Sequence, residues 1–113
     1  LVMVLEQGDL IYINFSPQSG HEQRGMRPAI VLSPSLFNQG AFIAVCPITK
    51  EKKGYPFEIE LPDDLPVYGV ILTDQIRTLD WRSRSAGLKG KAPQEIVEKC
   101  FNRIHTYLTM DER

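Results

Sequence analysis

Before residue 92 the apolar stretches of this sequence are brief and mostly closed by proline, glycine or small polar residues; only after Pro93 does their spacing become helical. A chain punctuated in this way builds short strands, because a helix needs an apolar period near 3.6 sustained over ten or more residues. With 113 residues it is one domain, since cutting it in two leaves halves too small to bury a core.

The run Leu10 to Phe15 is β-branched and aromatic and ends at Ser16-Pro17, which predicts the first strand. A polar, glycine-containing loop follows over residues 18–26. Ala29 to Leu32, closed by Ser33-Pro34, and Ala41 to Ile48, preceded by Asn38-Gln39-Gly40, are continuous apolar runs and predict buried strands. Phe57, Ile59 and Leu61 alternate with Glu58 and Glu60, the period-2 pattern of a strand with one wet face. Val70 to Leu72 continues the sheet, and Ile76 to Arg84 adds an extended stretch around Trp81. From Pro93 onward Ile96, Val97, Cys100, Ile104 and Leu108 share one helical face, with Pro93 suited to the first helical position. Five to seven short strands and one terminal helix give a mainly β fold, a compact curved sheet or barrel with a C-terminal helix packed on it. A barrel of this size encloses no ligand, which places function on loops, an exposed face or a dimer interface.

Thirteen basic and fourteen acidic residues give a net charge of −1, which excludes coating of long duplexes by general attraction. Positive charge is local, in Lys50, Lys52 and Lys53 and again in Arg77, Arg82 and Arg84. No apolar run approaches the roughly 18–20 residues that span a bilayer, and the N-terminus lacks signal-peptide character, so the expected location is cytoplasmic, without membrane association. Cys46 and Cys100 have no metal-ligand spacing and sit in apolar patterns as buried thiols. His21 and His105 are far apart, Asp63-Asp64 is a solvated turn, and no glycine-rich phosphate loop joins a strand to a helix. No metal and no cofactor is expected.

What remains is the loop from Gly20 to Pro28, where His21, Glu22, Arg24 and Arg27 sit where no hydrophobic period demands them. A guanidinium beside a proline offers a rigid fork of donors to a phosphate, and a nearby carboxylate or imidazole can move a proton. Those are the needs of RNA cleavage by the neighbouring 2′-hydroxyl, in which cations and donors stabilise the phosphorane. Taken singly, Arg27 reads equally well as a surface residue in a turn, Glu22 and His21 read more readily as solvated loop residues and Thr49 as a strand former bonding locally, and Asp74 suits a turn.

Together these residues resemble the MazF/PemK (Kid-like) toxin family. The resemblance runs through Gly8-Asp9-Leu10, Ser16-Pro17, Gly20-His21-Glu22-Gln23, Arg27-Pro28-Ala29 and Leu32-Ser33-Pro34. It continues with Pro47-Ile48-Thr49, Gly54-Tyr55-Pro56-Phe57, Asp74-Gln75-Ile76-Arg77 and Asp80-Trp81-Arg82. Each string is nonspecific; their order and spacing are not. The resemblance implies an SH3-like β-barrel with a C-terminal helix, a homodimer, and sequence-specific, metal-independent cleavage of single-stranded RNA leaving a 2′,3′-cyclic phosphate and a 5′-hydroxyl. It assigns Arg27 and Thr49 to the scissile phosphate and Glu22 and His21 to an active site whose acid and base it leaves open. A guanidinium stays charged in proteins and is a poor proton acceptor. Asp74 matches an aspartate of one branch, but the arginine that accompanies it two residues earlier there is Leu72 here, which leaves Asp74 to hold the loop or read a base. The implied partner is an antitoxin with an acidic, disordered tail lying across the RNA groove. Lys50, Lys52, Lys53, Tyr55, Asp74, Gln75, Arg77, Arg82 and Arg84 are the expected RNA- or antitoxin-binding residues, with Arg82 and Arg84 sharing a face of an extended segment.

Two other readings compete. A toxin class of the same fold poisons DNA gyrase without catalysis, through a C-terminal Trp-Gly-Ile tail, whereas this chain ends Thr109-Met110-Asp111-Glu112-Arg113. A noncatalytic SH3-like RNA- or protein-binding module predicts binding without product.

Overall fold

The structure is a computed structural model and describes residues 4–16, 20–21 and 25–111. Seven strands are present among them: β1 (Asp9–Asn14), β2 (Met26–Val31), β3 (Phe42–Thr49), β4 (Glu58–Glu60), β5 (Val70–Leu72), β6 (Arg77–Asp80) and β7 (Gly87–Lys91). A single helical turn, α1 (Ser35–Asn38), joins β2 to β3, a 3-10 turn covers Thr73–Gln75, and α2 (Gln94–Leu108) follows β7.

β3 is the hub. Along one edge it pairs with β2; along the other, Phe42 to Val45 pair with β6 while Ile48 and Thr49 pair with β5. The order is β4-β5-β3-β2-β1-β7, all antiparallel, with β6 beside β3, so the sheet curves strongly and does not close.

Both faces of the central strands are buried. Leu10, Ile30, Cys46, Ile48, Ile59 and Ile71 pack beneath α2 against Ile96, Val97 and Cys100. On the opposite face Ile11, Ile13, Phe15, Ala29, Val31, Ile43 and Val45 surround Leu79 and Trp81. Two-sided burial accounts for the continuous apolar runs in β2 and β3. Both cysteines are free and buried, and burial pushes their thiols up, Cys100 to about 12.

Several boundaries differ from the sequence expectation. The stretch expected to run extended from Ile76 to Arg84 stops at Asp80, and residues 81–84 turn. Arg82 therefore donates to the Gly40 carbonyl and Arg84 to the Asn14 and Ser16 carbonyls, so the two do not share a face. Pro93 precedes the helix rather than opening it. Leu108 is 72% exposed, because α2 runs beyond the sheet that its first turns cover. The α1 turn and β7 had no clear apolar signal. α1 exists because Asn38, fully buried, donates to the Leu5 and Ser33 carbonyls and accepts from the Ser33 hydroxyl.

Gly69 ties the sheet to the end of β3. Its φ is +127°, and a Cβ there would lie 2.3 Å from the Thr49 carbonyl oxygen. Gly69→Ala is expected to cost roughly 2–4 kcal/mol, from backbone strain together with displacement of β3 at Thr49. Urea denaturation reads the loss directly, and an unchanged midpoint contradicts the close approach.

Candidate active site

The polar ends of β2 and β3 lie side by side. Ala29 pairs with Pro47 and Val31 with Val45; just past the last of these pairs, Arg27 and Thr49 line one concavity. Arg27 is exposed, Thr49 half-buried. The Thr49 hydroxyl accepts the Glu51 backbone N–H at 3.2 Å and, acting there as an acceptor, keeps its own proton to donate.

Two concavities meet at Thr49 and Glu51. One, of about 320 Å³, is lined by Tyr12, Met26, Arg27, Pro28, Ile48 and Lys50 in addition to those two. The other, of about 340 Å³, adds His21, Lys53, Tyr55, Phe57, Glu58, Leu72, Asp74 and Gln75. Both are open, polar and shallow, which suits an extended chain better than a compact small molecule.

The second cleft is assembled from three strand ends. Glu58 is registered opposite Leu72 across β4 and β5. Thr73, fully buried, donates its hydroxyl and its N–H to the Phe57 carbonyl, the N–H at 3.3 Å. From α2, the Tyr107 hydroxyl donates to the Thr73 carbonyl at 2.8 Å, and Arg103 donates to the Pro56 and Glu58 carbonyls. The helix thus braces both walls. Tyr55 and Phe57 form a tilted ring pair, centroids 5.5 Å apart, with Tyr55 the more exposed of the two.

Of the expected site residues, the structure brings together Arg27, Thr49, His21, Lys50, Lys53, Tyr55, Asp74 and Gln75 at these two clefts. Glu22 lies outside the described residues, as does Arg24. The other expected cations point elsewhere. Lys52 pairs with Glu60 at 2.9 Å on an exposed surface. Arg77 lies over the Phe15 ring and donates to the Phe15 carbonyl, and Arg82 stacks on Trp81 at 4.5 Å from the ring centroid. Trp81 is buried, as packing requires. Lys50 lies 4.7 Å from the Tyr68 ring centroid, and its hydrogen bond to Tyr68 holds its pKa above the ordinary lysine value.

Tyr12, Met26, Glu51 and Glu58 are cleft residues that the sequence reading did not single out. For Glu58 the signal is its place on the wet face of β4, a pattern that solvation explains equally well. Among the described residues no three His, Cys, Asp or Glu side chains are grouped to hold a metal ion. The same residues contain no helix long and apolar enough to cross a membrane. The buried thiols, held protonated, are not nucleophiles for this surface.

A family profile described as PemK-like, MazF-like toxin of type II toxin–antitoxin system matches residues 6–108. The endoribonuclease toxin MazF of Escherichia coli K12 is 45% identical over 95 residues, covering 82% of this chain and 85% of that protein. The endoribonuclease toxin ChpB of the same organism is 40% identical over 107 residues, covering 88% and 90%. Among solved structures, MazF of Deinococcus radiodurans superposes with a TM-score of 0.91 at 44% identity, covering 96% of this chain and all of that one. A MazE–MazF complex from the same organism superposes at 0.86, also at 44% identity, covering 97% and 100%.

Asp74 offers a test of the cleft's environment. Desolvation by its surroundings raises its pKa above 3.8, its own backbone N–H opposes the shift, and the Glu58 charge adds to it. The folded state then holds this proton more tightly than the unfolded chain, so its contribution to stability falls as pH rises from the ordinary aspartate range through the raised value. Asp74→Asn is expected to remove that fall. Urea midpoints of both proteins between pH 3 and 7 should converge at the acid end and separate in favour of the variant at neutrality. Parallel curves contradict the desolvated carboxyl.

Proposed function

The chain belongs to the PemK-like, MazF-like toxin family of type II toxin–antitoxin systems, and from that premise we propose that it is an endoribonuclease that cuts single-stranded RNA. The presence of Arg27 and Thr49 on one open cleft, where it meets a second cleft at Thr49, is the observation that carries this reading. A polynucleotide lying through both clefts has one phosphate at their junction. There the guanidinium and the threonine hydroxyl donate to the non-bridging oxygens, and their donation strengthens as charge builds on the phosphorane.

The nucleophile is the substrate's own 2′-hydroxyl. Its oxygen forms a bond to phosphorus as the bond from phosphorus to the 5′-oxygen breaks, the 2′-proton passes to a base, and the departing oxygen takes a proton. The products are a 2′,3′-cyclic phosphate and a 5′-hydroxyl, and the step needs no metal. His21, at the cleft wall, and Glu22, its neighbour in the chain, are the proton-transfer groups of this mechanism. Arg27 keeps its charge throughout and acts as the clamp.

Recognition of unpaired bases falls to the larger cleft. Tyr55 supplies a stacking face, Asp74 and Gln75 supply acceptors and donors for a base edge, and Lys53 supplies charge for the backbone. Lys50 serves the strand in the smaller cleft. Arg77, Arg82 and Arg84 already donate to backbone carbonyls, so they add positive potential beside the clefts. An acidic antitoxin segment competes for the same surface, and the active form is a homodimer in the cytoplasm.

The test is cleavage of a mixed-sequence single-stranded RNA in EDTA, beside the same sequence as DNA. RNA alone should be cut, leaving cyclic phosphate ends, and Arg27→Ala should slow cutting by about 10²-fold or more. Intact RNA across many sequences, with folded protein, defeats the catalytic reading.

A further inference from the structure

A carboxylate in a cleft meant for a polyanion weakens binding unless it serves some other purpose, and Glu58 lines the larger cleft. Its carboxylate oxygens accept the backbone N–H of Lys53 at 3.2 and 3.3 Å and that of Gly54 at 3.0 Å. Its own backbone N–H donates to the Tyr55 carbonyl at 3.1 Å. One residue on β4 therefore closes the segment 53–58 from both sides. Gly54, at φ +79°, makes the turn that lets two successive N–H groups face the same carboxylate.

The neighbouring contacts point the same way. Glu60, two residues on and on the same face of β4, pairs with Lys52, but that pair is 63% and 54% exposed and contributes little. Arg103 holds the Pro56 and Glu58 carbonyls from behind. What fixes the front of the loop is Glu58, through charge-assisted bonds to backbone donors, the stronger kind of hydrogen bond. The residues so fixed are Lys53 and Tyr55, whose side chains line the cleft.

We propose that Glu58 is a positioning residue: by binding the Lys53 and Gly54 amides it presets the cleft wall that bears Lys53 and Tyr55, and so sets how selectively an unpaired base is held next to the cut. This deepens the ribonuclease reading and rests on it. The carboxylate does not touch the reacting phosphate in this scheme. Its work is done on the protein's own backbone, where it lowers the ordering cost that RNA would otherwise bear on binding.

Two measurements test it on the whole chain, with Glu58→Ala and Glu58→Gln. Amide hydrogen exchange by NMR should show Lys53 and Gly54 protected in the wild type, released in Glu58→Ala and largely protected in Glu58→Gln, whose amide oxygen still accepts. Fast exchange of both amides in the wild type overturns the proposal without any variant, as does unchanged protection in Glu58→Ala. Cleavage of a short RNA at its preferred site and of single-base variants gives the functional arm. Glu58→Ala should raise KM about tenfold with kcat within about twofold, and narrow the preference among bases. Glu58→Gln should stay near the wild type. If both variants bind RNA more tightly, the carboxylate acts only as repulsive charge and the proposal fails. If the wild type cuts no RNA, the ribonuclease reading falls, while the exchange data still decide whether Glu58 holds the loop.

Discussion

Two-sided burial of β2 and β3 is the constraint on which the rest of this structure depends. Side chains alternate across a strand, so a strand apolar on every residue must be covered on both faces. Here α2 covers one face and the curled sheet, with β6 and Trp81, covers the other. The curvature follows, because β3 can serve both cores only if its second edge is divided between β6 and β5. The polar residues of these strands, Arg27 and Thr49, are then left at the rim where both covers end. The register that packs the interior also brings the ends of the two strands to one rim, so core and cleft are one arrangement.

The rim is braced rather than loose. Tyr107 and Arg103 reach from the helix to the carbonyls of residues 56, 58 and 73, and Thr73 joins the 3-10 turn to Phe57. Loops that present binding groups are ordinarily the softest parts of a small domain. In this molecule the walls of the larger cleft are anchored to α2. The rigid partner bears less of the ordering cost when it is already in shape.

Much of this was legible in the sequence. The strands around Leu10, Ala29, Ile43, Ile59 and Val70 and the helix after Pro93 follow from apolar spacing alone, within a residue or a few at their ends. β7 was not, because Gly-Leu-Lys-Gly-Lys carries no alternation; it becomes a strand only because the edge of β1 offers it hydrogen bonds. Nor was α1, whose cause is one buried asparagine bonding the distant Leu5 carbonyl as well as nearby Ser33. The grouping of Arg27, Thr49, His21 and Asp74 needed the strand register, and single residues gave weak signals. Arg82 and Arg84 misled for a local reason: spacing of two implies a shared face only in extended chain, and the chain turns there. Glu58 was hidden by its own pattern, since an acid on a wet strand face looks the same whether it faces water or a backbone turn.

The two cysteines have a consequence of another kind. Both lie in the core layer under α2, and burial keeps each thiol protonated far above neutral pH. Oxidants attack thiolates that they can reach. The cysteines of a folded copy are thus poor targets for peroxide, and the sulfur that oxidants reach belongs to the exposed Met26 and Met110, the first of them lining the smaller cleft.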